Sequence, residues 1–303
     1  MRVEKINKSH TVVAEKYIWL SIKDDQMPAD IKCANIEGVL QIDEWDNNFI
    51  DFIRLNNIKG IEIKGDKFEN TSFGLAFLEE LSDLKYLKIS GKFKKSEYKV
   101  INKMTSLEEL ILSDYEAYDV NFSQFKFLKA YFSPIKHINH PIFSCKTLSY
   151  LGTKTTLEDT QPFTNLKNLK HLYLFARKLK SLQGLDKLDQ LQVLSIDYAS
   201  YLKDISSLSN CKNISILSLY SCKSIYSLEH IANIEKLKYL SFDNCGTIKS
   251  LTPLEKCNGL EFLSFGDTLI EDGNIAVLKK INSLKRVYFR NKKHYNSTIE
   301  DFK

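Results

Sequence analysis

No apolar run in this 303-residue chain approaches the roughly 20 residues that a helix needs to span a bilayer. A helical membrane span is excluded on that ground. The six cysteines contain no C-x-x-C pair, so zinc-ribbon and thioredoxin-like chemistry lack their ligand spacing. There is no G-x-x-x-x-G-K-[ST] or G-x-G-x-x-G loop to cradle phosphate, and no G-x-S-x-G elbow to present a nucleophilic serine. Arginine is scarce, with five in the chain, and the net charge of +5 reads as modest and dispersed. Nucleic-acid binding calls for arginine and exposed aromatics interleaved along a basic stripe, so it is not expected. The opening stretch Met1–His10 carries charges and no apolar h-region, and no hydrophobic tail suggests a lipid anchor. A cytoplasmic location is the expectation.

The chain is rich in one cadence. L-x-x-L-x-L returns about every 20 to 26 residues from Ile58 onward. Its clearest copies begin at Leu169, Leu191, Ile214, Leu237 and Leu260, as in Leu191-Gln-Val-Leu194-Ser-Ile196. A short strand points alternate side chains to one side, so Leu172 with Leu174, Leu217 with Leu219 and Leu240 with Phe242 face a core. A second apolar pair follows in each copy, for example Leu202/Ile205 and Ile248/Leu251. One such unit cannot bury its apolar side alone, whereas stacked units form a continuous core. Earlier copies run from Ile58, Leu84 and Leu107, and the motif blurs at Leu128-Tyr131-Ser133 and Leu148-Leu151-Thr153.

These motifs resemble the leucine-rich-repeat superfamily, and within it the short bacterial, internalin-like and regulatory repeats of about 22 residues. The return segments Leu202-Lys-Asp-Ile205-Ser-Ser-Leu208 and Ile248-Lys-Ser-Leu251-Thr-Pro-Leu254 carry the internalin-type likeness. The resemblance implies an α/β solenoid with a curved parallel sheet on its concave face and short helical or irregular convex segments. It implies a fold far more than a function, because one scaffold serves many partners. The asparagine ladder of internalins is mostly replaced here by Cys, Thr, Arg or Ala, and neither their secretion signal nor their wall anchor is expected. The expected organisation is a capping segment over residues 1–57, an array of about eleven repeats over 58–290, and a polar cap or tail over 291–303. Within the cap, Ile18, Leu20 and Ile22 alternate as in a strand, and Trp45 through Asn57 has helical spacing. Among the returns, Phe73–Leu84 and Asn274–Ile281 read as most helical.

The cysteines fall into the same register. Cys145, Cys211 and Cys257 occupy a position held elsewhere by Leu or Ile, and Cys222 and Cys245 share the ladder position, so all five read as structural. Cys33 stands alone.

Residues between the inward leucines point out of the sheet and line up in columns. Tyr150, His171, Ile216, Tyr239, Phe262 and Arg286 share one column, Tyr173 and Tyr288 the next, and Phe175, Asp197, Tyr220 and Asp243 a third. An exposed aromatic patch rimmed by Asp197, Asp243 and Asp267 is the expected binding face for another protein, one bearing a basic patch. The runner-up is an anionic ligand or nucleic acid along a lysine edge formed by Lys59, Lys85, Lys129, Lys170, Lys238 and Lys285. Ser195 with His171 and Asp197 has the wrong order for a triad, and His137-Ile-Asn-His140 is a weak metal pair, so no enzyme, cofactor or metal site is expected. The expected product is a monomeric, non-enzymatic interaction module acting as an adaptor, regulator or inhibitor.

Overall fold

The structure is a computed structural model that describes residues 5–6, 39–42, 49–65, 74–91 and 93–302. The expected strand at Ile18–Ile22, Cys33, the start of the Trp45–Asn57 helix and Phe73 lie outside those residues. The chain divides into two compact units, 1–153 and 154–303.

In the first unit, β1 (Lys5–Ile6) pairs antiparallel with β2 (Val39–Ile42), and one helix, α1 (Phe49–Leu55), follows. Strands β3 (Gly60–Lys64), β4 (Tyr86–Ser90), β5 (Glu109–Leu112), β6 (Ala130–Phe132) and β7 (Tyr150–Lys154) then add in parallel, each to the one before, with β3 against β2. The second unit carries β8 (His171–Phe175), β9 (Val193–Asp197), β10 (Ile216–Tyr220) and β11 (Tyr239–Asp243). After these come β12 (Thr247–Ile248), β13 (Phe262–Ser264), β14 (Leu269–Ile270) and β15 (Arg286–Tyr288). Strands β8, β9, β10, β11, β13 and β15 pair in parallel in that order, while β12 and β14 make a separate short ladder.

The leucine cadence works as expected. Pairing is in phase, so Leu172, Leu194, Leu217, Leu240 and Leu263 stand opposite one another, and all are fully buried. Each contributes roughly 1.5–3 kcal/mol by leaving water. The next inward column turns aromatic toward the C-terminus. Phe242, Phe265 and Phe289 stack with centroids 5.6 and 4.9 Å apart and nearly parallel planes. The segment after Phe289 packs back on this stack. Phe302 meets Phe289 edge-on at 6.1 Å, and the Asn296 carboxamide oxygen accepts from the N–H groups of Ile275 and Ala276 at 2.8 Å.

The return segments are 3₁₀ turns rather than α-helix, including Leu75–Leu81 and Ala276–Lys280 where helix was expected. The 3₁₀ form gains about 2 Å per residue against 1.5 Å, which suits a repeat that must get back to the sheet in few residues. Local chemistry starts these turns. In the second unit Asp159, Ser181, Asp204, Ser227, Ser250 and Asp272 share one repeat position, and each side-chain oxygen accepts the N–H two residues on, at 3.0–3.2 Å.

The ladder position lacks asparagine but keeps its task. Cys222 Sγ donates to the Ile196 carbonyl at 3.5 Å, Cys245 Sγ to Leu219 at 3.4 Å, and the Thr268 hydroxyl to Phe242. Each ties a turn to the strand of the preceding repeat. The described cysteines are all buried and unbridged. Burial pushes the Cys211 thiol up to about 12 and the Cys257 thiol up to about 11, and it raises Cys145 as well. The neighbouring Cys245 thiol, with burial, holds Cys222 well above the ordinary range. Burial keeps the reagent from all five sulfurs, so iodoacetamide at about pH 8 should leave these thiols unmodified in the folded protein and label all of them in urea. Peptide mass mapping reads the result, and fast native labelling of Cys222 or Cys245 would contradict the ladder.

Candidate functional site

The outward columns assemble in the register read from sequence. His171, Val193, Ile216, Tyr239, Phe262 and Arg286 stand side by side, as do Tyr173, Ser195, Ser218, Ser241, Ser264 and Tyr288. Phe175, Asp197, Tyr220 and Asp243 complete a third row.

Exposure does not follow the expectation. His171, Ile216, Tyr173 and Phe262 are buried, at 0%, 1%, 5% and 8% exposure, as is Tyr150 in the first unit at 2%. These five are not part of a water-facing patch. Strands about 4.8 Å apart bring large side chains of one column into mutual contact. In the first unit Tyr150 joins Val39, Tyr86, Ile111 and Ala130 in a separate apolar cluster, with Phe132 packed against it. Gly152 permits this, because a Cβ there would meet the Phe132 ring at 2.4 Å. In the second unit the face opens toward the C-terminus. Phe175, Tyr239 and Asp243 are half-buried, while Tyr220, Asp267, Arg286 and Tyr288 are exposed.

The half-buried Phe175 and the exposed Tyr198 and Tyr220 form one ring cluster on this face, and its central member was missed from sequence. Phe175 and Tyr198 have ring centroids 5.0 Å apart, and Tyr198 meets Tyr220 edge-on at 5.4 Å. Tyr198 exists because its repeat is one residue longer. After β8, Ala176 both donates its N–H to the Asp197 carbonyl and accepts from Leu179. After β9 and β10 those two tasks are split between Tyr198 and Ala199, and between Ser221 and Cys222. The inserted residues lie in the left-handed region, Tyr198 at φ 59°, Ser221 at 58°, and Asn244 after β11 at 55°. For a bulky residue this costs about 1–2 kcal/mol. The signal was the change in spacing from Leu169–Leu191 to Leu191–Ile214.

Cations and acids frame the rings. Lys154 Nζ and the Arg177 guanidinium approach the Phe175 ring at 5.7 and 5.5 Å. Tyr198, the largest influence, with burial and the nearby Asp197 and Asp267, raises the Tyr220 hydroxyl above its ordinary value. The three rim acids do not wait for a basic partner. Asp197 accepts from the Tyr173 hydroxyl at 2.9 Å and is buried; Asp243 accepts from the Ser241 and Ser264 hydroxyls at 2.6 and 2.9 Å and from the Gly266 N–H. Asp267 pairs with Arg290 at 2.7 Å. Two of the four column serines thus hold Asp243 in place.

The lysine edge is also internally paired. Glu108 occupies the same repeat position as the lysines and bridges Lys85 at 3.6 Å and Lys129 at 3.1 Å; Glu261 does so for Lys238 at 3.9 Å and Lys285 at 2.6 Å. Lys59 pairs with Asp83. The two glutamates set among six lysines weaken the pull of this edge on a phosphate backbone. Burial lowers His171 to about 3 and His140 to about 4, so both stay neutral, and His140 Nδ1 accepts the Ile142 N–H at 3.1 Å. Among the described residues no group of three or more His, Cys, Asp or Glu could hold a metal, and no helix is long and apolar enough to cross a membrane.

No protein-family model and no curated protein sequence matches the chain. Solved structures do. An internalin of Listeria monocytogenes superposes with a TM-score of 0.58 at 19% identity, over 77% of this chain and 66% of its own. A protein described as a TDR receptor superposes with a TM-score of 0.55 at 16% identity, over 82% of this chain and 46% of its own. A leucine-rich-repeat protein of Leptospira interrogans aligns at 15% identity over 82% of each chain, with a TM-score of 0.39. The chain therefore spans no more than about two thirds of the first two. These likenesses are likenesses of fold.

Asp197 gives the face a pH signature. Burial raises its carboxyl to about 6 from 3.8, against the opposing hydrogen bond from Tyr173. A carboxyl raised in the folded state contributes stability that is full below its unfolded value and lost as pH climbs through about 6. Asp197→Asn cannot ionise and still accepts from Tyr173. It should therefore be more stable than the parent by roughly 2–3 kcal/mol near pH 8, with the gap closing toward pH 4. Urea midpoints at the two pH values measure this, and a gap independent of pH would refute it.

Proposed function

We propose that this leucine-rich-repeat solenoid is a protein-binding module whose partner docks on the outward sheet face of the second unit, where Phe175, Tyr198 and Tyr220 come to the surface. The observation that carries the reading is the inserted Tyr198, held at positive φ between two other aromatic rings. Strained, pre-set side chains cluster where function over-determines them. Aromatic anchors fixed before the partner arrives lose little entropy on docking. Tyr239, Arg286 and Tyr288 extend the contact, with Phe262 beneath, its ring 6.2 Å from Tyr239 and 5.6 Å from the Arg286 guanidinium.

Recognition on this face rests on aromatic contact more than on charge, because Asp197, Asp243 and Asp267 are engaged within the chain. The chemistry of the face supports a non-enzymatic role. His171 is fully buried and neutral at physiological pH, and Asp197 is held by Tyr173, so neither is placed to move a proton for Ser195. An adaptor, a regulator and an inhibitor would all use such a surface.

The test is affinity capture from native lysate with the parent and a Tyr198→Ala/Tyr220→Ala variant shown to be folded by circular dichroism. A partner identified with the parent should bind the variant at least about tenfold more weakly, with little change between ~0.1 and ~0.5 M salt. Equal affinity for both proteins would remove the face from consideration.

A further inference from the structure

Asp197 sits within the ring cluster. Strand register places it in one row between Phe175 and Tyr220, and Tyr198 follows it in the chain. Backbone bonds fix it there, since its carbonyl accepts from Ala176 and the Tyr198 N–H donates to the Tyr220 carbonyl. The residue keeps 7% of its surface exposed, and its carboxyl accepts from the Tyr173 hydroxyl at 2.9 Å. No ion pair among the described residues includes it. A buried carboxyl with a neutral donor and no cation is poorly placed to ionise.

The groups facing it from the neighbouring strands do not change that balance. On β8, His171 is buried and neutral, Tyr173 is the donor, and the cations Lys154 and Arg177 lie over the Phe175 ring. On β10, the Tyr220 hydroxyl and the Cys222 thiol are both held above their ordinary values, so neither carries charge near neutral pH. Beyond Tyr220 in the row stands Asp243, held by Ser241, Ser264 and Gly266, and Asp267 is paired with Arg290. Burial therefore dominates at Asp197 and raises its carboxyl to about 6, with the Tyr173 hydrogen bond opposing it.

We propose that docking on the Phe175–Tyr198–Tyr220 cluster takes up a proton at Asp197, so that the face holds a neutral, apolar partner surface more tightly in weakly acidic than in weakly alkaline solution. The inference rests on the docking reading above and adds its regulation. A partner seated across Phe175 and Tyr220 spans the row position between them and closes the last water contact of the carboxyl. The ionised form then loses hydration that no cation replaces, whereas the protonated form loses much less and keeps its bond from Tyr173. The complex binds the proton more firmly than the free protein does, and affinity must fall as pH climbs through the free-state value. A partner that set a Lys or Arg over Asp197 would give the opposite slope.

The experiment is an NMR titration of the full chain with N-acetyltryptophanamide, a neutral aromatic probe. Amide shifts of Phe175, Tyr198 and Tyr220 report binding at about pH 5 and about pH 8. The parent should bind at least about fivefold more weakly at the higher pH. Asp197→Asn should bind at the higher pH as tightly as the parent does at the lower. Saturating probe should push the titration midpoint of the Asp197 carboxyl upward, because the coupling is reciprocal. Tyr198→Ala/Tyr220→Ala should weaken binding at both pH values, and melting curves confirm that the variants fold. No binding by the parent at either pH, or equal binding by the double variant, overturns the proposal at its premise, the docking reading. Equal or tighter binding at the higher pH, a pH dependence kept in Asp197→Asn, or an unmoved midpoint overturns the proton link and leaves the docking reading standing.

Discussion

In-phase pairing of parallel strands is the constraint on which everything else here depends. Once Leu194 stands opposite Leu172 and Leu217, every repeat position becomes a column at the interstrand spacing of about 4.8 Å. Inward columns become the leucine core and the phenylalanine stack ending at Phe289. The turn column becomes a ladder in which Cys222, Cys245 and Thr268 each satisfy a carbonyl of the strand before. Asp159 and its five equivalents begin each return with the same two-residue hydrogen bond. A slip of one residue in any strand would turn its leucines outward, so register and burial enforce each other.

Within so repetitive a frame, a change of one residue in repeat length has a large effect. Ala176 does two jobs in its turn, and lengthening the next turn hands one of them to Tyr198. The added residue fits only with a left-handed backbone, and its side chain is thrust outward between Phe175 and Tyr220. The equivalents Ser221 and Asn244 meet the same backbone demand with small polar groups. The aromatic cluster is thus a local product of spacing and side-chain size, laid on a sheet that is otherwise uniform.

Charge is organised at two scales. Across the strands, Glu108 and Glu261 each stand between two lysines of one column, and surface pairs of this kind contribute little each but offset part of the charge of the edge. Along the chain, cations collect between Lys279 and Lys293, where seven stand with no carboxylate among them.

The leucine spacing alone determined the fold, the inward and outward columns, the structural role of the cysteines and the membership of each row on the outward sheet face. It could do so because parallel strands repeat one residue pattern, and position in the pattern decides direction. The sequence also held the inserted Tyr198 and the glutamates among the lysines, legible as a longer repeat and a matching register. Tertiary structure alone decided which outward residues meet water. His171 and Ile216 share a column with Arg286 yet are buried, because exposure depends on the size and reach of neighbours rather than on position in a repeat. It also decided that Asp197, Asp243 and Asp267 find partners within the chain, since a hydrogen bond between repeats needs two side chains brought to within about 3 Å, and no one-dimensional spacing specifies that.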